Sequence, residues 1–149
     1  MIQNLLGMSA DKYLSRLNKY KAFTVTLGIL TVVLDIFFLL IRTDENHNVL
    51  LVLSIIVTVA FAWIITAIFG IVIKPMMRLY ELSLRPTERV FATIERINTE
   101  TRRVEHFDCF EVYSSDNIYF LVAEGNIKLC EGDTVTLLIA SNIITGVKV

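Results

Sequence analysis

The sequence predicts an α+β membrane protein: a transmembrane hairpin of two helices, followed by a small C-terminal all-β barrel of about five strands. Three observations carry this. Two long apolar runs, Ala22–Ile41 and Val49–Ile73, flank the short polar segment Arg42–Asn48. Hydrophobic residues make up 54% of the 149 positions, and the surplus sits in those two runs rather than being spread along the chain. From Thr87 onward the pattern changes to short stretches rich in β-branched and aromatic residues, separated by turn-forming ones.

Residues 1–21 read as an N-terminal segment whose Ser9–Lys21 part is an amphipathic helix lying in the membrane interface. Lys12, Arg16 and Lys19 recur at helical spacing on one face, and Tyr13, Leu14, Leu17 and Tyr20 form the other. Lys12, Arg16 and Lys19, with Lys74 and Arg78 beyond the second run, are the candidate contacts to lipid headgroups.

Residues 22–73 form the hairpin. A helix of about 20 residues rising about 1.5 Å each crosses a hydrocarbon core of about 30 Å, and each run is long enough. The first is too long for a signal-peptide core and is followed by Arg42-Thr43-Asp44-Glu45 rather than a small-residue cleavage site, so it is expected to be retained. Basic residues cluster outside the runs: Lys12, Arg16, Lys19 and Lys21 before the first, Lys74, Arg78, Arg85 and Arg89 after the second. The connecting loop holds only Arg42, beside Asp44 and Glu45. The positive-inside rule then places both termini and the C-terminal domain in the cytoplasm, with two spans in the cell membrane. Cys109 and Cys130 would lie in a reducing compartment, where a disulfide is not expected.

One charge, Asp35, falls inside the first run, where ionisable residues are costly and by default functional candidates. Thr24, Gly28, Thr31 and Asp35 form a stripe of small or polar residues on one helix face. Ser54, Thr58, Ala62 and Thr66 form a second at steps of four. An antiparallel hairpin sets Asp35 opposite Ser54, Thr31 opposite Thr58, Gly28 opposite Ala62 and Thr24 opposite Thr66. Such a stripe serves close helix packing or, in an oligomer, lines an ion or proton path. Trp63, near the middle of the second run, suggests a packing contact.

Residues 74–86 read as a stalk helix, opened by a kink at Lys74-Pro75, with Met77, Tyr80 and Leu84 on its apolar face and an end at Arg85-Pro86. Residues 87–149 form the barrel. Expected strands are Val90–Asn98, Arg103–Tyr113, Ile118–Glu124, Thr134–Ala140 and Ile143–Val149. The turns fall at Thr99–Arg102, Ser114–Asn117, Gly125-Asn126, Gly132-Asp133 and Ser141-Asn142. Alternation is clean at Val135, Leu137 and Ile139. In the second strand Asp108 shares a face with Val104, Phe110 and Val112, which calls for a bulge. A segment this short suits an OB-like or SH3-like barrel, and packing against the stalk would help stabilise it.

The run Ile118–Gly125, then Leu129–Thr136 with its Glu131-Gly132-Asp133 turn, then Ile143–Val149, resembles the end of the OB domain of the NfeD-like family. The order of membrane helices before a barrel is also similar. The family's Pro-x-Gly opening of the barrel is absent. The resemblance implies an OB-type fold and association with membrane scaffolds of the stomatin type.

The sequence offers little chemistry. His47 and His106 are the only histidines; with two cysteines they give neither metal-ligand spacing nor a nucleophile with base and oxyanion hole. Both cysteines are expected to be small buried hydrophobes. No glycine-rich phosphate loop is present. Residues 87–149 carry six basic against ten acidic side chains, which opposes nucleic-acid binding. The expectation is therefore a non-enzymatic protein with no cofactor, no metal and no small-molecule substrate. Its partners are the lipid bilayer and another membrane protein or a second copy of itself, held through a cytoplasmic interaction or scaffolding module. The alternative is a homo-oligomeric channel or transport subunit that uses Asp35.

Overall fold

In the computed structural model, residues 1–43, 45–115 and 117–149 are described. Asp44, in the expected outer loop, and Asp116, in the expected Ser114–Asn117 turn, lie outside the described residues. The chain forms two long apolar helices and a six-stranded, mainly antiparallel sheet, and it divides into two units. One comprises Met1–Leu14 and Arg78–Val149, the other Ser15–Met77.

The helical unit is built from elements that satisfy their own backbone groups, as an apolar stretch requires in lipid. Helix α1 runs from Ala10 to Leu40 without interruption. Ser9 is its N-cap residue, its carbonyl accepting from the Tyr13 N–H at 3.2 Å, and Asp11 sits favourably in the first turn. Helix α2, His47–Ile68, begins after Asn46, whose carbonyl accepts from the Leu50 N–H. A five-residue π turn, Phe69–Ile73, joins α2 to α3, Lys74–Ser83. The Lys74 N–H donates to the Phe69 carbonyl, five residues back. Proline has no N–H to donate and its ring clashes with the carbonyl four residues before it. The wider turn just ahead of Pro75 answers that conflict, and helical structure continues through it to Ser83. Almost none of either apolar stretch is buried within the chain, and both are long and apolar enough to cross a membrane.

The β unit corrects the reading of the N-terminus. Residues 1–21 are not a separate interfacial helix: Ile2–Asn4 form a strand, β1, and Leu5 and Leu6 are fully buried in the β core. Tyr13, on the first turns of α1, packs against the same core. The other strands are β2 (Glu88–Val104), β3 (Phe107–Ser114), β4 (Asn117–Val122), β5 (Thr134–Ala140) and β6 (Ile143–Lys148). Strand β1 pairs antiparallel with β6, Ile2 opposite Lys148 and Asn4 opposite Gly146. Strands β2, β3, β4, β6 and β5 pair in that order, and β5 returns to β2, so the five close a ring. Among the described residues only the β4–β6 pairing is parallel.

The expected turn at Thr99–Arg102 does not form. Strand β2 continues to Val104 and turns at Glu105-His106, with Glu105 at φ 55°. Its pairing to β3 skips from Ile97–Val112 to Thr101–Phe110, with a smaller shift between Ile94 and Arg96, so the irregularities lie on β2, the main one at Asn98–Glu100, rather than on the strand bearing Asp108. Turn-prone residues in the middle of a strand, Asn98 and Thr99, are accommodated there as a bulge. By contrast Val135, Leu137 and Ile139 all point into the core, and Ser141-Asn142 form a two-residue turn with φ 51° and 65°. Such mirror-image turns need two positive-φ residues, a conformation Asn tolerates.

Helix α3 buries Leu79 and Leu82 in the β core, with Tyr80 packed beside them. The expected apolar face was Met77, Tyr80 and Leu84, yet Leu84 is 60% exposed, because the helix has ended at Ser83 before reaching it.

Candidate functional site

The polar cluster in the helical unit centres on Asp35. The Ser54 hydroxyl donates to its Oδ1 at 2.7 Å, and the Thr58 hydroxyl reaches Oδ2 at 2.8 Å and Oδ1 at 3.0 Å. Both donors come from α2, so one carboxylate joins the two helices through hydroxyls one turn apart. The other stripe residues are not part of this junction. The hydroxyls of Thr24, Thr31 and Thr66 each donate to the carbonyl four residues back, at Tyr20, Leu27 and Ala62. This is the usual way for a helical threonine to satisfy itself when no partner is in reach. A Cβ added at Gly28 would meet nothing within 4 Å, so Gly28 does not mediate a close approach to Ala62.

The partly shielded face of α2 is Leu50, Ser54, Val57, Phe61 and Ile65, not the Ser54–Thr58–Ala62–Thr66 row. A strict step of four drifts around a helix with 3.6 residues per turn. Mixed steps of three and four stay on one side, which is why the lower part of the row, Ala62 and Thr66, is exposed. Trp63 is 74% exposed and makes no packing contact of the expected kind within the hairpin.

At the loop end of the helices a cleft of about 310 Å³ is lined by Asp35, Phe38, Arg42, Leu50, Ser54 and neighbouring apolar residues. Its mouth carries the Arg42 guanidinium, hydrogen-bonded to the His47 imidazole. The expected headgroup contacts Lys12, Arg16, Lys19 and Lys74 are exposed, and Arg78 is half-buried.

The β unit has its own constellation on β2 and β3. Arg96 stacks over the Tyr113 ring, 4.8 Å from its centroid. The Tyr113 hydroxyl donates to Glu111 Oε2 at 2.8 Å, and Arg102 Nη1 donates to Oε1 at 3.2 Å. These two donors, Tyr113 first, hold the Glu111 carboxyl below its ordinary value, and the same bond pushes Tyr113 up. The cluster ties the two sides of the β2 bulge to one strand. Nothing in the sequence pattern foreshadows it, because Arg96 comes opposite Tyr113 only through the register shift at Asn98–Glu100.

Beside it lies an open groove of about 630 Å³, lined mainly by Ile97, Phe110, Leu121, Ile127 and Leu129, with Lys128 and Cys130 at its edge. Phe110 and Leu121 are direct cross-strand neighbours on β3 and β4. The cysteines behave differently from one another. Cys109 is fully buried and its thiol is pushed up to about 11 by burial and the nearby carboxylates of Asp108 and Glu105. It therefore stays protonated at neutral pH, where a thiol is a poor nucleophile. Cys130, expected to be buried, is exposed, since it sits in the irregular segment before β5. His106 stands exposed in the β2–β3 turn. Among the described residues no group of three or more His, Cys, Asp or Glu side chains is placed to hold a metal.

Set against family models, curated proteins and solved structures, the chain matches none of them.

Proposed function

We propose that this is an integral membrane protein of two spans whose β unit is an OB-type barrel acting as a cytoplasmic interaction module, recruiting or stabilising another membrane protein. The observation that carries the reading is the pairing of β1 with β6, together with the burial of Leu5 and Leu6 in the β core. Residues on the far side of both apolar helices thereby belong to one folded unit. Two strands of one sheet cannot lie on opposite sides of a bilayer, so the two ends of the hairpin share a side. This supports the hairpin topology independently of the distribution of Lys and Arg, which supplies the cytoplasmic orientation.

The barrel type is supported by strand order. Counted from β2, the ring runs first, second, third, fifth, fourth and back to the first, with the third and fifth parallel. That is the order of the OB fold, whose second and third strands form its recognition face. The apolar groove bearing Phe110 and Leu121 lies on those strands. It suits an apolar protein segment better than a phosphate backbone, since among the described residues Lys128 is the only cation lining it. An adaptor with a membrane-proximal barrel accords with the NfeD-like resemblance.

Cross-linking in intact cells, mild detergent extraction and mass spectrometry test this. A reproducible foreign membrane protein joined to residues of the groove is expected. Cross-links confined to copies of this chain would contradict the adaptor reading. The channel reading rests on one observation, the cleft beside Asp35. It requires that Asp35→Asn abolish ion flux while assembly stays intact; glue requires that Asn, which still accepts from the two hydroxyls, leave the hairpin in place.

A further inference from the structure

The outer face of β2, β5, β6 and β1 holds a second, smaller pocket of about 240 Å³, lined by Ile2, Arg89, Thr136, Leu138 and Lys148. Strand register builds it. Phe91 stands opposite Thr136, Thr136 opposite Lys148, and Lys148 opposite Ile2, a row across four strands. One row away, Arg89 is opposite Leu138 and Leu138 opposite Gly146. A Cβ on Gly146 would come within 2.8 Å of Leu138 Cδ1, so the missing side chain lets Leu138 lie down as the pocket floor. The result is two cations and a hydroxyl around a shallow basin. At its two flanks are exposed apolar side chains, Phe91 at 74% and Ile2 at 61% exposure.

Two other basic residues of the barrel are engaged, Arg102 with Glu111 and Arg96 with Tyr113. Among the described residues neither Arg89 nor Lys148 has an ion-pair partner. None of the pocket's described lining residues is acidic, although residues 87–149 carry an excess of four negative charges. Unpaired cations framed by an exposed aromatic and an exposed aliphatic side chain match the membrane interface, where phosphate meets acyl chain.

We propose that this pocket binds the phosphate of an anionic lipid headgroup, with Arg89 and Lys148 as its charge partners, the Thr136 hydroxyl as a hydrogen-bond donor, and Phe91 and Ile2 entering the acyl boundary. The proposal rests on the membrane reading above. A barrel tethered at both Leu14–Ser15 and Met77–Arg78 always has a bilayer within reach, so even a weak site is populated through effective concentration. Docking there holds the barrel against the membrane in a lipid-dependent way.

The test uses the full chain in nanodiscs, with Phe91→Trp in a Trp63→Phe background as the sole indole. Brominated acyl chains report its depth by quenching. Discs with about 30% anionic lipid should quench the indole at position 91 more than neutral discs, by severalfold, as two cations at an anionic surface shift occupancy by roughly tenfold or more. Arg89→Gln with Lys148→Gln should abolish the difference, and Arg103→Gln, an equal loss per site elsewhere on the barrel, should leave it. Equal quenching in both lipids, or the same loss with Arg103→Gln, overturns the proposal. So does loss of a cross-linked acidic protein, rather than of quenching, in the double variant. Co-elution of chain and disc is read separately. A chain that fails to co-elute contradicts the membrane reading and the site with it, whereas a co-eluting chain with a lipid-insensitive indole contradicts the site alone.

Discussion

Asp35, Cys109 and Glu111 show how far neighbours decide what a side chain can do. Asp35 has two hydroxyl donors from one opposing helix. Interhelical hydrogen bonds in bilayers average about 0.6 kcal/mol and reach about 1.7. Asp35→Ala should therefore cost the hairpin about 1–2 kcal/mol in a reversible unfolding titration in bicelles, and Asp35→Asn clearly less. Cys109, with its thiol pushed up to about 11 from 9.0, is bound to its proton more tightly in the native state than in the unfolded chain. That stability is complete below pH 9 and is lost as pH rises toward 11. Urea midpoints should fall over this window, and Cys109→Ala, although less stable throughout, should fall less steeply. Maleimide at pH 7.5 should label Cys130 alone until the protein is unfolded. For Glu111 the direction is opposite, since its carboxyl is held low, and the contribution is lost as pH falls. Tyr113→Phe removes the larger cause, and the Glu111 carboxyl resonance should then titrate at higher pH. Asp35 and its partner Ser54 could be picked out from the sequence, because a lone charge in an apolar run is conspicuous; Thr58, set opposite Thr31 by the step of four, instead reaches Asp35. The Arg96–Tyr113–Glu111–Arg102 cluster could not, because its register depends on a bulge.

At the level of elements, period decides what can be read. Strands β5 and β6 alternate or run apolar between turn residues, and their limits lie within a residue of those the sequence suggests. The N-terminal strap is different. Three strand residues and two leucines before a helix carry no periodic signal, and their meaning depends on β6, more than 130 positions later. Yet the strap is fitted closely. Leu5 N–H donates to the Thr145 carbonyl at 2.9 Å, and Asn126 N–H donates to the Leu5 carbonyl at 3.0 Å. A Cβ on Gly125 would come within 2.8 Å of Leu5 Cδ1. Truncating a fully buried leucine costs about 2–5 kcal/mol, so Leu5→Ala or Leu6→Ala should lower the stability of the β unit by that amount in chemical denaturation. Lys12→Gln, on an exposed face, should leave it unchanged within about 0.5 kcal/mol.

For the whole molecule, the β unit is made of two segments separated by the hairpin, and so residues 87–149 alone lack Leu5, Leu6, Leu79 and Leu82 of the core. They should not fold cooperatively. A permuted chain running 78–149, then a short Gly-Ser linker, then 1–14 restores those side chains. The two termini that the linker joins are already neighbours, since Met1 and Val149 exchange backbone hydrogen bonds of 3.1 Å. It should give dispersed amide resonances and a single unfolding transition. The division into apolar helices and a β unit was legible from composition alone. That the N-terminus belongs to the β unit was not, because the amphipathic pattern of Lys12, Arg16 and Lys19 fits a lipid surface as well as it fits the exposed side of a helix packed on protein. Both flanks of the hairpin belong to one folded unit, which in the proposed topology lies on one side of the membrane. Impermeant maleimide on intact cells tests it most directly, using single cysteines at position 2, position 48 and the native Cys130. Position 48 should label from outside, with positions 2 and 130 reacting only after permeabilisation, and together. Positions 2 and 130 reacting from opposite sides would contradict it.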